Sequence, residues 1–219
     1  MDLLQFARGP ALEVSLAVFV FGVIWRLLGL LLLPWRKDRS QPRELAPSAI
    51  VAALQANVRG MWPHRAFIKT SVFQFVNGYI FHIGLAIVVF AFVPHILFIK
   101  SLFGVSWPAL PSNLVYAVGA ITLFSIAAGL VHRLTSPVLQ LVSRADDYIS
   151  WFITLLPVAT GLLIVVQAGA RYETLLALHI LSVCLFFIWF PFGKLMHAFT
   201  FVLSRGATGI RLKHRGAQL

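Results

Sequence analysis

A single cysteine, Cys184, is all the thiol chemistry available to this chain of 219 residues. One thiol makes no internal disulfide, and iron–sulfur clusters usually take four cysteine ligands, so any such cluster belongs to a partner. Cys184 lies in an apolar stretch and reads as a small buried hydrophobe. Charge is scarce too. Only 11% of residues are charged, with 7 acids in all, while 59% are hydrophobic. Soluble domains carry roughly a quarter charged residues, which argues against that class. The N-terminus lacks the basic region of a cleaved signal peptide: Asp2 and Glu13 stand against Arg8, with no small-residue cleavage site after them. No internal repeat and no low-complexity tract is present.

What remains is apolar sequence in long blocks. Five windows, at about 11–34, 71–99, 113–131, 148–170 and 174–203, reach the roughly 20 residues that a helix needs to cross a bilayer. The runs are continuous, unlike the roughly ten-residue alternating segments of a membrane barrel. The expected fold is an all-α membrane protein, a single domain forming a five-helix transmembrane bundle. Within the loop 35–70, Ser48 is placed to cap a short helix over 48–60. Ile50, Leu54, Val58 and Met61 would share its apolar face, either in the membrane interface or docked on a partner.

The formal net charge of +11 suggests nucleic acid until its distribution is considered. Arg36, Lys37, Arg39, Arg43, Arg59, Arg65 and Lys69 fall between the first two windows. Arg133 and Arg144 join the third to the fourth, and Lys194, Arg205, Arg211, Lys213 and Arg215 follow the fifth. Arg8, Lys100 and Arg171 fall on the other side. This asymmetry expects the N-terminus outside and the C-terminus in the cytoplasm of a bacterial or archaeal inner membrane. A phosphate-binding groove would concentrate the charge differently, and no nucleic-acid partner is expected.

Histidine carries the chemistry. Four of the seven histidines fall in or beside apolar windows: His82, His95, His179 and His197. Ionisable groups at membrane depth are costly and are functional candidates. A neutral imidazole is a metal ligand, and ligation stabilises it there. A single such residue reads equally well as a hydrogen-bonded structural group; four on two helices do not. His179 and His197 are 18 residues apart, about five helical turns, and would share a face roughly 27 Å apart. With the second and fifth helices antiparallel, His82 pairs with His197 near the cytoplasm and His95 with His179 near the outside. Two b haems would follow, with iron held by each pair.

Gly78 and Gly193 each precede a ligand by four residues and would leave a gap for a porphyrin edge. Leu175 and Ala91 occupy the corresponding positions of the outer pair. The 13 residues from His82 to His95 leave these two rings roughly 140° apart on an ideal helix, so Pro94 must kink the chain to turn His95 inward. Arg26 is placed either to neutralise a haem propionate or to snorkel. His64, His132 and His214 have interfacial positions. Asp146 and Asp147 resemble a catalytic carboxylate pair, but their place before Tyr148 suits a helix cap.

Several stretches resemble the respiratory nitrate reductase gamma-subunit family of membrane cytochromes b, and the related membrane subunits of sulfate reducers' redox complexes. They are Phe81-His82-Ile83-Gly84, Leu178-His179, and above all Phe190-Pro191-Phe192-Gly193-Lys194-Leu195-Met196-His197. Weaker similarity runs through Ser136-Pro137 and Ala145-Asp146-Asp147. The resemblance implies two b haems, oxidation of membrane quinol, and electron delivery to an iron–sulfur or other redox subunit on the cytoplasmic side. It assigns His82 and His197 to the haem nearer the partner and His179 to the outer haem beside the quinol pocket. The family's second histidine on helix two falls ten residues after the first, where this chain has Phe92. His95 takes its place, closer to the sulfate-reducer relatives. On this reading the chain is an electron-transfer subunit of a respiratory oxidoreductase. A transporter using the histidines as a proton relay, and a cofactor-free membrane anchor, are the alternatives from the residues alone.

Overall fold

The computed structural model describes residues 1–34, 38–44 and 46–217. Arg36 and Lys37, two of the basic residues of the first loop, lie outside this set. Every regular element among the described residues is helical: α1 Leu3–Leu31, α2 Ala49–Arg59, α3 Ile68–Ala91, α4 Val93–Phe103, α5 Ser112–Thr135, α6 Pro137–Val142, α7 Ala145–Val165, α8 Tyr172–Trp189 and α9 His197–His214. Five of these helices, α1, α3, α5, α7 and α8, are long and apolar enough to cross a membrane. The chain is a multi-pass membrane protein by that criterion.

Three elements differ from the sequence expectation, each for a local reason. The first helix begins at Leu3 rather than near residue 11. The Asp2 carboxylate accepts the Gln5 N–H at 2.7 Å and the Gln5 side chain caps Asp2 in return, while a wide turn over Ala7–Ala11 absorbs Pro10. The expected helix 71–99 is two helices, broken at Phe92, whose backbone is extended (φ −93°, ψ 130°). Pro94 has no N–H to give the carbonyl of Phe90, four residues back, and its ring crowds that carbonyl. The expected helix 174–203 also breaks. α8 stops at Trp189, the chain turns through Pro191 and an extended Gly193, and a short 3-10 turn, Lys194–Met196, leads into α9. Pro191 similarly deprives the preceding turn of a donor.

The long helices pack in the order α3, α5, α7, α8, α1. Association of helices in lipid rests on close approach of small residues. In α5 the residues Val115, Gly119, Thr122, Ile126 and Gly129 recur every three or four positions and are buried together. A Cβ on Gly84 of α3 would collide with the Thr122 hydroxyl, and one on Gly129 would lie 2.6 Å from the Trp151 ring of α7. Asn77 and Ser125 bond reciprocally across the α3–α5 contact. The outward faces are apolar: Phe21, Trp25 and Leu28 of α1 are exposed, as a lipid-facing helix requires. Helix α2 turns Ala52 and Ala56 onto Gly209 of α9 and Ala53 onto Gly206, and leaves Ile50, Leu54 and Val58 exposed.

Candidate functional site

The four candidate histidines meet as two pairs, each joining one of the five long apolar helices to a helix outside that set. His82, on α3, and His197, the first residue of α9, have ring centres 6.0 Å apart with planes at 85°. His95, in the first turn of α4, and His179, on α8, have ring centres 6.1 Å apart with planes at 17°. The break at Phe92 lies three residues before His95. About 15 Å of helix separates His179 from the end of α8, so the two pairs lie toward opposite ends of the bundle.

The backbone around each ring determines which nitrogen is free. His82 Nδ1 lies 2.7 Å from the Gly78 carbonyl, His197 Nδ1 2.7 Å from that of Lys194, and His95 Nδ1 2.8 Å from that of Val88. A carbonyl only accepts, so in each ring Nδ1 carries the proton and donates it, leaving the Nε2 lone pair for a ligand. His179 Nδ1 faces a hydroxyl instead of a carbonyl: Thr160 Oγ1, which donates to the Leu156 carbonyl at 2.7 Å, lies 3.2 Å from it. Ser182, 3.0 Å from Thr160, donates to the His179 carbonyl.

The helix break supplies the acceptor for His95. Ending α3 leaves carbonyls without their usual partners. That of Val88 takes the His95 ring, that of Phe90 takes the Trp107 indole N–H, and that of Ala91 takes the Leu110 N–H. The segment between α4 and α5 therefore folds back and closes the gap. None of these three donors is evident from hydrophobic periodicity.

Among the described residues no group of three or more His, Cys, Asp or Glu side chains comes together as a metal cage. Each site offers two imidazoles with free Nε2 atoms. Two metal–nitrogen bonds of about 2 Å, one from each side, would bring ring centres to roughly 6 Å. Such a donor set would suit a haem iron, which His82 with His197 and His95 with His179 would hold. Gly78 is consistent with that fit, since a Cβ there would meet nothing within 4 Å. Gly193 is not: a Cβ on it would collide with the Trp189 indole, so this glycine serves the turn rather than a cofactor edge. Gly161, unremarked in the sequence, lies against His179, where a Cβ would be 3.3 Å from the ring.

The remaining candidates have other surroundings. Arg26 is exposed on α1, a helix that contributes no histidine to either pair. His132 contacts the Gln74 amide at 3.0 Å, His64 accepts the Ala66 N–H, and His214 bonds the Ser40 carbonyl at 2.9 Å. Asp147 caps α7 by accepting the Arg144 N–H at 2.9 Å, and it also holds Lys194 and Arg133. Asp146 accepts the Ser150 hydroxyl.

No protein family and no solved structure matches the chain. It is similar to a curated protein of Nitratidesulfovibrio vulgaris (strain Hildenborough) that bears only the description "Protein". The two are 29% identical over 219 residues, covering 97% of this chain and 95% of the relative.

Proposed function

We propose that the chain is a membrane cytochrome b subunit that binds two b haems, one between His82 and His197 and one between His95 and His179. The observation that carries this reading is the meeting of all four candidate histidines in two cross-helix pairs of nearly equal spacing, 6.0 and 6.1 Å. A proton relay would need neither equal spacing nor three Nδ1 atoms committed to carbonyl acceptors. Haem, when bound, supplies one-electron chemistry, and the protein supplies ligands, orientation and a low dielectric.

The residues divide that work. Gly78, Val88 and Lys194 orient three imidazoles through their carbonyls and make them more basic ligands. The Thr160 hydroxyl, held in place by the Leu156 carbonyl, lies against His179 Nδ1 and orients that ring. Phe81 packs on the His82 ring, with Trp151 behind it, and Phe92 packs edge-on against the His95 ring.

The charge asymmetry of the loops orients the chain with its tail in the cytoplasm of a bacterial or archaeal inner membrane. The His82–His197 pair then faces a soluble partner, an iron–sulfur or other redox subunit; any cluster belongs to that partner, since the single Cys184 cannot hold one. Membrane quinol is oxidised to quinone at the opposite end, near His95 and His179, losing two electrons and two protons. This assignment follows the resemblance to membrane cytochromes b.

A pyridine haemochrome assay on the purified chain tests the proposal. Two b haems per chain are expected. A chain free of haem after expression with adequate haem supply would refute it, and one haem per chain would refute the second site.

A further inference from the structure

We infer that Asp147 is a positioning residue for the ligand His197, acting through Lys194; the inference rests on the haem reading above. Asp147 lies in the first turn of α7, and its side chain is 7% exposed. A helix cap needs one carboxylate oxygen, and Asp147 uses both. Oδ2 accepts the Arg144 N–H at 2.9 Å and lies 2.6 Å from Lys194 Nζ, while Oδ1 lies 3.5 Å from Arg133 Nη1. Arg133 is held in turn by Ser143, at 2.7 Å. A buried carboxylate is stable only when so compensated.

Lys194 is the residue whose backbone matters to the site. It opens the 3-10 turn Lys194–Met196, and its carbonyl accepts the His197 Nδ1–H at 2.7 Å. The ammonium of Lys194 is fixed on α7 while its carbonyl fixes the imidazole. A second tie secures the other side of the turn. The Trp189 indole donates to Ser150 of α7 at 3.1 Å, and Gly193 packs against that indole. Residues 190–196 form turns and the short 3-10 turn, with no continuous α-helix from α8 to fix the register of His197. Its register comes from α7, and Asp147 is the charged half of that attachment. His82 needs no such device, because its acceptor Gly78 lies one turn back on the same continuous helix.

The experiment uses the full chain in detergent, comparing wild type with Asp147→Asn, Asp147→Glu and Lys194→Met by haem content and redox titration of each haem. With Asp147→Asn, the haem held by His82 and His197 should be retained roughly 10–100-fold less tightly, the range for loss of an outer-shell partner. Its midpoint potential should rise, because an anion is lost and the imidazole becomes a weaker donor. Lys194→Met should reproduce the looser binding, and Asp147→Glu should restore wild-type retention. The haem held by His95 and His179 should keep its spectrum and potential in every variant. Equal change in both haems would reveal a merely structural role and overturn the inference, as would wild-type behaviour in Asp147→Asn. A wild-type chain without haem would overturn the haem reading itself, and this inference with it.

Discussion

Replacing Pro94 by alanine tests how the chain brings His95 to His179. In the native break the carbonyls of Val88, Phe90 and Ala91 accept from His95 Nδ1, Trp107 Nε1 and the Leu110 N–H. A straight helix would satisfy the same three carbonyls with the N–H groups of residues 92, 94 and 95. Partners are therefore equal in number, and the proline tips the balance by removing one donor and crowding Phe90, about 3 kcal/mol or roughly 150-fold against the straight form. Pro94→Ala removes that bias and brings the two forms to comparable populations. Only the broken form presents His95, so haem affinity at this site should fall about twofold. Adding Trp107→Phe orphans the Phe90 carbonyl in the broken form alone, at about 1.4 kcal/mol, which leaves roughly one chain in eleven broken and should weaken binding about a further fivefold. Haem titration of the apo-chain measures both steps, and hydrogen exchange at the Leu110 amide reports the break without haem. Wild-type affinity and full Leu110 protection in the double variant would refute the reasoning, showing that something other than these donors and the proline holds the break.

Three further outcomes are expected. His82→Ala and His197→Ala should each remove the same haem, identified by its spectrum, while His132→Ala removes none; loss of different haems would refute the pairing. Gly84→Ala should cost about 1–3 kcal/mol in thermal unfolding, because its Cβ collides with the fully buried Thr122, and adding Thr122→Ala should recover most of the loss. The loop 38–44 and the tail are clasped by Asp38–Arg215 at 2.8 Å and by the Arg43 N–H on the His214 carbonyl. Bonds from Arg215 and Ser40 hold the Asp38 carboxyl well below the usual carboxylate range, so its contribution is complete above that range and is lost only as pH falls through the depressed value. Protection of the Arg43 amide should thus survive from neutral pH to below the ordinary aspartate pKa, and Asp38→Asn should abolish it at all pH values.

The transmembrane helices were legible because each is a long run with few charges, a pattern that composition alone reveals. Their ends were less so. Arg8 and Pro10 lie just before the first window and Glu13 inside it, yet a capping box and a wide turn carry α1 through them. The breaks at Phe92 and at Pro191–Gly193 depend on which donors come back to free carbonyls, and those donors lie well along the chain or in another helix. Trp107 and Leu110 are examples: nothing in their spacing links them to Phe90 and Ala91. The histidine partners, by contrast, followed from antiparallel helices and residue spacing. The meeting of His82 with His197 tolerates a break between α8 and α9 that the spacing argument did not contain. Gly193 shows the limit of reasoning from helical faces. It lies four residues before His197, but with no continuous helix between them the two share no face. The pairing of Asp147 with Lys194 was equally hidden, since an acidic residue before an apolar run reads first as a cap.

If the two pairs of imidazoles hold two haem irons, their ring planes distinguish the two sites. The His82–His197 rings are near perpendicular at 85° and the His95–His179 rings near parallel at 17°. Electron paramagnetic resonance of the oxidised chain should therefore show two low-spin ferric signals of equal intensity. One should be the strongly anisotropic kind that crossed axial imidazoles produce, the other the rhombic kind of parallel ones. His197→Ala should remove the first and leave the second. High-spin iron as the main species in the intact chain, or no ferric haem signal at all, would contradict the account.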